Sequence, residues 1–336
     1  MIVPVYNGAA QITRCLDALA VQSDPAFEIV VVDDGSTDGT RRSVDAWTRS
    51  HPDIRLQVVT QPNAGPAAAR NAGAALATAD LLLFTDADCV PSPAWVEAFT
   101  HAFAGENPPA AAMGSYLSLQ SSPAARFSQL EFEERYALMA RRPAIDFVAT
   151  YSAAYRRAVF LAAGGFDSSF RRANNEDTEL AYRLSAQGQR MLFVPQARVY
   201  HEHDENWRAY MRTKIGRGYW RMAVYRKHPE KSLKDSYTPQ LLKLQLPLAL
   251  LALLGMAAAL LTRKVRTLAL IVPFLASTLP LVAFARKQKS VGAGWVIWGS
   301  FVRALAFVIG VGLALLKGDP LLGTATPAQA EAEVRP

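Results

Sequence analysis

A chain of 336 residues that is 51% hydrophobic and only 19% charged is richer in apolar residues than a typical soluble domain. The net charge of +7 gathers beside apolar segments, in Lys227, Lys231, Lys234 and Lys243, then Arg263, Lys264 and Arg266, then Arg286, Lys287 and Lys289. Anionic lipid headgroups explain that placement better than nucleic acid, and two cysteines, Cys15 and Cys89, exclude a disulfide framework and suit a reducing, cytosolic face.

In chain order, the apolar runs MIVPV (1–5), EIVVVDD (28–34), IRLQVVT (54–60) and DLLLFTD (80–86) read as strands. Between them ITRCLDALAVQ, TRRSVDAWTRS and GPAAARNAGAALAT carry apolar residues at helical spacing. This βαβ rhythm predicts an α/β fold with a mostly parallel, Rossmann-like sheet and helices on both faces. The strands are continuously apolar, as burial on both sides requires. The chain opens directly on a strand, so no secretory leader is expected.

The middle holds a strand (AAMGSYLSL), a polar helical stretch, a glycine turn (GGFD), a helix (NEDTELAYRLSAQG) with Gly188 as its stop, and a strand (MLFVP). Residues 204–240 open as a basic, aromatic, amphipathic segment beside the membrane. Leu244 to Thr262 and Thr267 to Ala285 contain no charge, and each is long enough to cross a bilayer. A third stretch, Val291 to Leu316, carries Arg303 near its middle. The expected organisation is thus an α/β domain over 1–203, a juxtamembrane region over 204–240, two or three transmembrane helices over 241–317 and a disordered tail over 318–336. Both inter-helix loops are basic, so the first two spans form either a tight hairpin that violates the positive-inside tendency or a pair with one re-entrant or interfacial member.

Polar clusters fall at the carboxyl ends of the strands, where open α/β sheets bind ligands. Asp86 and Asp88, ending a buried strand, suit a hard cation together with substrate phosphates, although an acidic turn has the same sequence. Asp33 and Asp34 in VVDDGSTDGT serve a strand-to-helix turn and can also accept hydrogen bonds from a base or ribose. Arg70 interrupts an alanine-rich helix near the same edge, where a guanidinium suits a phosphate or a base carbonyl. Glu176 and Asp177 open a helix, where acids complement its dipole. Adjacent residues do not share a helix face, so one can point at a cleft while the other anchors the helix.

Taken in order, VPVYNG, VVDDGSTDGT, NAGPAAARNAG, LLLFTDADC, AAGGFD and NEDTELAYRL resemble the family 2 glycosyltransferases, whose fold is GT-A. The resemblance covers about the first 200 residues. It implies that Pro4, Val5, Tyr6, Asn7, Asp33, Asp34, Asn63, Gly65, Arg70 and Asp86 bind a nucleotide-sugar donor, a UDP-sugar in the first instance. It further implies that Asp88 binds a divalent cation, Mg²⁺ or Mn²⁺, with Asp86 and, in some relatives, a histidine at the position of His201. The acidic pair supplies the general base, and Asp177 fits that place with Glu176 beside it. Such enzymes invert the anomeric centre. The acceptor would be lipid-linked or a surface glycan, at the cytosolic face of the inner (plasma) membrane, with membrane lipids as the other partner and no nucleic acid.

One departure concerns processive synthases, which carry Q-x-x-R-W. Here KIGRGYWRM offers Arg217 and Trp220 without the glutamine. Single-sugar transfer is therefore favoured over a processive synthase, and intact Asp34, Asp86, Asp88 and Asp177 argue against a non-catalytic membrane scaffold.

Overall fold

The computed structural model describes residues 1–171, 174–233 and 235–318, so the expected tail lies almost wholly outside the described residues. The first half alternates β1 (Ile2–Val5), α1 (Ile12–Ala20), β2 (Ile29–Asp33), α2 (Thr40–Ser50), β3 (Leu56–Thr60), α3 (Pro66–Leu76) and β4 (Leu81–Phe84). There follow β5 (Val90–Pro91), α4 (Trp95–Phe103), β6 (Ala111–Leu117), α5 (Pro123–Met139), β7 (Ala153–Arg156), α6 (Arg157–Ala162), α7 (Glu176–Ala186) and β8 (Met191–Tyr200). Three long helices beyond α8 (Trp207–Lys227), namely α9 (Gln240–Thr262), α10 (Val272–Lys287) and α11 (Ala293–Lys317), complete the described chain.

One eight-stranded sheet has the order β3-β2-β1-β4-β7-β6-β8-β5. Strands β1 to β4 pair in parallel through helical crossovers, and β6 also runs parallel to β8. The antiparallel members are β7, between β4 and β6, and β5 at the edge. Ile2, Val3, Val30, Val31 and Phe84 are fully buried, which is why their strands carry no polar alternation. On α1, Ile12, Cys15, Leu16 and Leu19 share the core-facing stripe.

Helix α8 is wedged between the sheet domain and α11. Its Tyr210 joins Phe127, Leu281 and Val296 in one apolar cluster, and its Ala223 and Val224 pack on Phe170 and Tyr182 in another. Backbones approach closely at Gly310, where a Cβ would stand 2.3 Å from the carbonyl oxygen of Ile215 on α8. Glu131 on α5 lies in the same region, fully buried. It receives Lys214 Nζ at 2.8 Å, Arg303 Nη1 at 3.2 Å and the Tyr210 hydroxyl at 2.9 Å. Arg303 also donates to Gln245 on α9 at 2.8 Å, so the single charge inside the third apolar stretch ties two helices to the sheet domain.

Helices α9 and α11, and the segment Val265–Lys287, are long and apolar enough to cross a membrane. Much of their apolar surface is uncovered, including Leu250, Leu254, Leu260, Leu261, Leu279 and Leu316. After Arg263, which adopts a left-handed φ of 55°, the chain turns straight back along α9, and Thr267 donates to the Gly255 carbonyl at 3.1 Å. These two apolar segments therefore form a tight hairpin.

Candidate active site

Two polar assemblies stand at the carboxyl edge of the sheet. The first is a shelf after β1, β2 and β3. Asn7, at φ 50°, accepts from the Thr37 amide at 2.8 Å and donates its own amide to Ser36 Oγ at 2.9 Å. Asp33 accepts from the Ser36 amide at 2.9 Å. Asp34 is buried and holds the β3–α3 loop, accepting from Gln61 Nε2 at 2.7 Å and from the amides of Ala64 and Gly65 at 3.0 and 2.9 Å. Gly65 has a φ of 91°, and a Cβ there would lie 2.5 Å from the Arg171 carbonyl oxygen, so only glycine fits. Pro4 and Val5 lie in the β1 strand itself, Tyr6 is 46% exposed, and Asn63 is exposed on the loop.

The second assembly joins β4 to α7. Arg70, buried on α3, sends Nη1 to Glu176 Oε1 at 2.8 Å and Nη2 to Asp86 Oδ1 at 2.7 Å. Glu176 keeps its other oxygen buried without a hydrogen bond among the described residues. Burial raises its carboxyl to about 7, with Arg70 opposing the rise and Asp177 adding to it. Asp177 has a different partner. Its Oδ1 accepts from the Thr178 amide at 2.6 Å, and burial holds its carboxyl above the ordinary range against that bond and the fields of Arg70 and Arg221. The two acids have different partners, Arg70 for Glu176 and the Thr178 amide for Asp177, yet both line the cleft, so the expected split between an anchoring and a cleft-facing acid is not seen.

Asp88 lies on the far side of Asp86. The β5–β8 ladder pairs Val90 with Tyr200, and this register brings Asp88 beside His201. Asp88 Oδ2 is 3.9 Å from His201 Nδ1, a buried nitrogen with no hydrogen-bond partner among the described residues. The imidazole is stacked on Tyr116 at 4.6 Å. Desolvation by the surrounding chain and repulsion by Asp86 raise the Asp88 carboxyl, although its side chain is 56% exposed, and His201 opposes them. An orphaned imidazole nitrogen facing a carboxylate is a fitting pair of ligands for a divalent cation. Cys89 also lies within ligand distance of both, but burial first, then Asp86 and Asp88, push its thiol well above the ordinary value. It stays protonated and donates to Asp88 at 3.7 Å.

Arg70, Asp86, Glu176, Asp177 and His201 line one cleft of about 600 Å³. The structure does not bring Pro4, Val5, Tyr6, Asn7, Asp33, Asp34, Asn63, Gly65 or Asp88 into its lining. Those residues stand on the shelf and, for Asp88, on the cation side. The cleft continues instead toward α8, α9 and α11, where Arg221, Lys243, Leu246 and Phe307 line it. Neither Arg221 nor Tyr116 was recognisable as a site residue. The spacing of Arg217 and Arg221, four apart on one helix, is the signal in sequence that could have found the first.

Residues 1–162 match the profile described as glycosyl transferase family 2. A pre-mycofactocin glycosyltransferase of Mycobacterium tuberculosis is 28% identical over 249 residues, which cover 69% of this chain and 48% of the relative. The validoxylamine A glucosyltransferase of Streptomyces hygroscopicus subsp. jinggangensis is 35% identical over 220 residues, 56% of this chain and 51% of the relative. The chain thus spans about half the length of these curated relatives. Among solved structures, a mannosyltransferase from Pyrobaculum calidifontis in complex with GDP-Man and Mn²⁺ superposes with a TM-score of 0.60 at 22% identity, covering 94% of this chain and 86% of that one. That likeness shows a shared GT-A fold. Residues 1–162, which build most of the sheet, thus belong to glycosyl transferase family 2.

Proposed function

We propose that this protein is a membrane-anchored, inverting glycosyltransferase that moves a sugar from a nucleotide-diphosphate sugar, a UDP-sugar in the first instance, to a hydroxyl of a lipid-linked or surface-glycan acceptor. The observation that carries the reading is the buried Arg70, which holds Asp86 on the donor side and Glu176, next to Asp177, on the opposite wall of one cleft. The Mn²⁺ and GDP-Man named for the Pyrobaculum structure agree with a cation and a nucleotide sugar.

In this reading Tyr6, Asn7, Asp33 and the loop held by Asp34 shape the nucleotide shelf, and Asp86 faces the donor sugar. Asp88 and His201, with Asp86 adjacent, would hold Mg²⁺ or Mn²⁺. When bound, the cation offsets the charge of the departing diphosphate. The Asp177 carboxylate accepts the acceptor hydroxyl's proton as that oxygen forms its bond to the anomeric carbon. The bond from that carbon to the diphosphate breaks in the same displacement, and the nucleoside diphosphate leaves with the electron pair. Asp177 keeps its Oδ2 free of hydrogen bonds among the described residues, as a base requires. Glu176, tied to Arg70, fixes the start of α7.

Residues 1–203 would form the catalytic unit, 204–240 the basic connection and 241–317 the membrane region of a multi-pass protein of the plasma membrane. The catalytic unit would face the cytosol, where nucleotide sugars are made. Exposed leucines on α9 and α10 support the membrane region, not its sidedness. The test is detergent-solubilised full-length protein incubated with a panel of nucleotide sugars, with nucleoside diphosphate release as the readout. If no nucleotide sugar is either turned over or bound, the reading fails.

A further inference from the structure

The cleft is lined by several cations; Asp235 acts on Arg221 and Lys243 through its field, but its own hydrogen bonds come from Tyr182, Tyr237 and Thr238. Arg70 is matched by Asp86 and Glu176, and Arg135 and Lys214 share Glu131 with Arg303. Lys243 donates to the Leu233 carbonyl at 2.8 Å. Arg217 and Arg221, one turn apart on α8, remain. Arg217 makes no ion pair or hydrogen bond among the described residues and lies only over the Phe132 ring at 6.0 Å. Arg221 has its Nη1 buried with no hydrogen-bond partner there. A guanidinium nitrogen withdrawn from water and left unpaired is costly, and the cost is removed when an anion occupies the site.

Beyond these two arginines the lining turns apolar. Leu242 and Leu246 are one turn apart on α9, and Phe307 and Val311 are one turn apart on α11. The close packing of α8 on α11 at Gly218 and Gly310 sets the arginine pair directly beside this pair of apolar ridges. In the other direction the field of Arg221 reaches Asp177. One cleft therefore presents a carboxylate, two guanidiniums with no bonded acid among the described residues, and an apolar corridor between helices that are long and apolar enough to cross a membrane.

We propose that this is the acceptor site, and that the acceptor is an amphiphile in which a phosphate or diphosphate joins an apolar chain to the hydroxyl-bearing head group. The chain lies in the corridor between α9 and α11, the phosphate sits on Arg217 and Arg221, and the hydroxyl reaches Asp177. The assignment rests on the glycosyltransferase reading and names the chemical class of its acceptor. A neutral glycolipid would leave both guanidiniums unpaired, and a soluble phosphorylated glycan would leave the corridor empty.

The probes are farnesyl phosphate, farnesol and inorganic phosphate, titrated into the full-length protein in detergent with intrinsic fluorescence as the readout. Farnesyl phosphate should bind at least roughly tenfold more tightly than either of the others, the scale expected when a charge-assisted contact and apolar burial act together. The double variant R217Q/R221Q should lose that advantage over farnesol while its affinity for nucleoside diphosphate with Mn²⁺ stays unchanged. Leu246→Trp, which fills the corridor, should weaken farnesyl phosphate alone and leave inorganic phosphate as it was. Equal binding of farnesol and farnesyl phosphate overturns the proposal, and so does inorganic phosphate binding as tightly as the lipid phosphate. If R217Q/R221Q loses nucleoside diphosphate instead, the arginines serve the donor and the acceptor assignment is wrong. Acceptor-independent hydrolysis of the nucleotide sugar, measured on the same preparations, reports the transferase reading separately.

Discussion

Arg70 on α3 donates to Glu176 on α7 at 2.8 Å across 106 residues of sequence, and its second nitrogen bonds Asp86 at the end of β4. The guanidinium was expected to meet a phosphate or a base, yet in the fold both terminal nitrogens bond acids. It sets the spacing between Asp86 at the end of β4 and the helix that carries the proposed base.

Removing this strut leaves two acids without their cation, one of them wholly buried. Arg70→Met should cost about 3 kcal/mol of stability or more, the scale for breaking a buried pair from one side. Denaturation of the detergent-solubilised variant checks this. Unchanged stability with lost turnover would mean that Arg70 acts on the donor rather than on the frame.

If Asp177 takes the acceptor proton, Asp177→Asn should lower turnover by roughly a hundredfold or more, the usual scale for loss of a general base. Donor affinity, read by titration of the nucleotide sugar, should survive. Turnover equal to wild type would sink the assignment and shift attention to Glu176.

The cation is tested at Asp88. Chelation of divalent ions, or Asp88→Ala, should abolish transfer and weaken nucleoside diphosphate binding, because the diphosphate loses its counter-charge. Adding Mn²⁺ or Mg²⁺ should restore the chelated enzyme but not the variant. Full activity in excess chelator would return Asp86 and Asp88 to the role of a structural turn.

Glu176 predicts a pH dependence of stability. Its folded carboxyl stands at about 7 against an ordinary 4.5, set by burial with Arg70 and Asp177 as the charged groups facing it. Between those values the folded state keeps a proton that the unfolded state has released, so stability falls as pH rises through the window. Glu176→Gln carries no such proton. The melting temperature of wild type relative to this variant should therefore decline from pH 5 to pH 8, and a pH-independent difference would contradict the burial argument.

Membrane attachment follows from the uncovered leucines of α9 and α10. Full-length protein should fractionate with membranes and resist alkaline and high-salt washes, since apolar insertion does not rest on ionic contacts. Release by salt would show that only basic residues hold it there, and the catalytic reading would stand apart from that failure.

Much of this was legible in the sequence, for a definite reason. Strands β1 to β4 and helices α1 to α3 are local patterns, and their apolar spacing and turn residues mark them without reference to anything distant. The same holds for Asp33, Asp34, Asp86 and Asp88, which sit at strand ends wherever the strands go. It holds for the apolar stretches too, because length and absence of charge are properties of a segment.

What the tertiary structure decided is pairing over distance. Strand β5 has two residues, too few for any pattern, yet its ladder with β8 sets Asp88 beside His201. The basic segment of α8 read as a face for lipid headgroups. In the fold it turns Tyr210 and Lys214 into the core and leaves Arg217 and Arg221 along the cleft. Arg303 looked like an obstacle to a third span, and its partner Glu131 lies 172 residues away. Local propensity carries no information about which distant side chain will neutralise a charge. Only the burial of the whole chain, which penalises every unpaired ion, selects those partners.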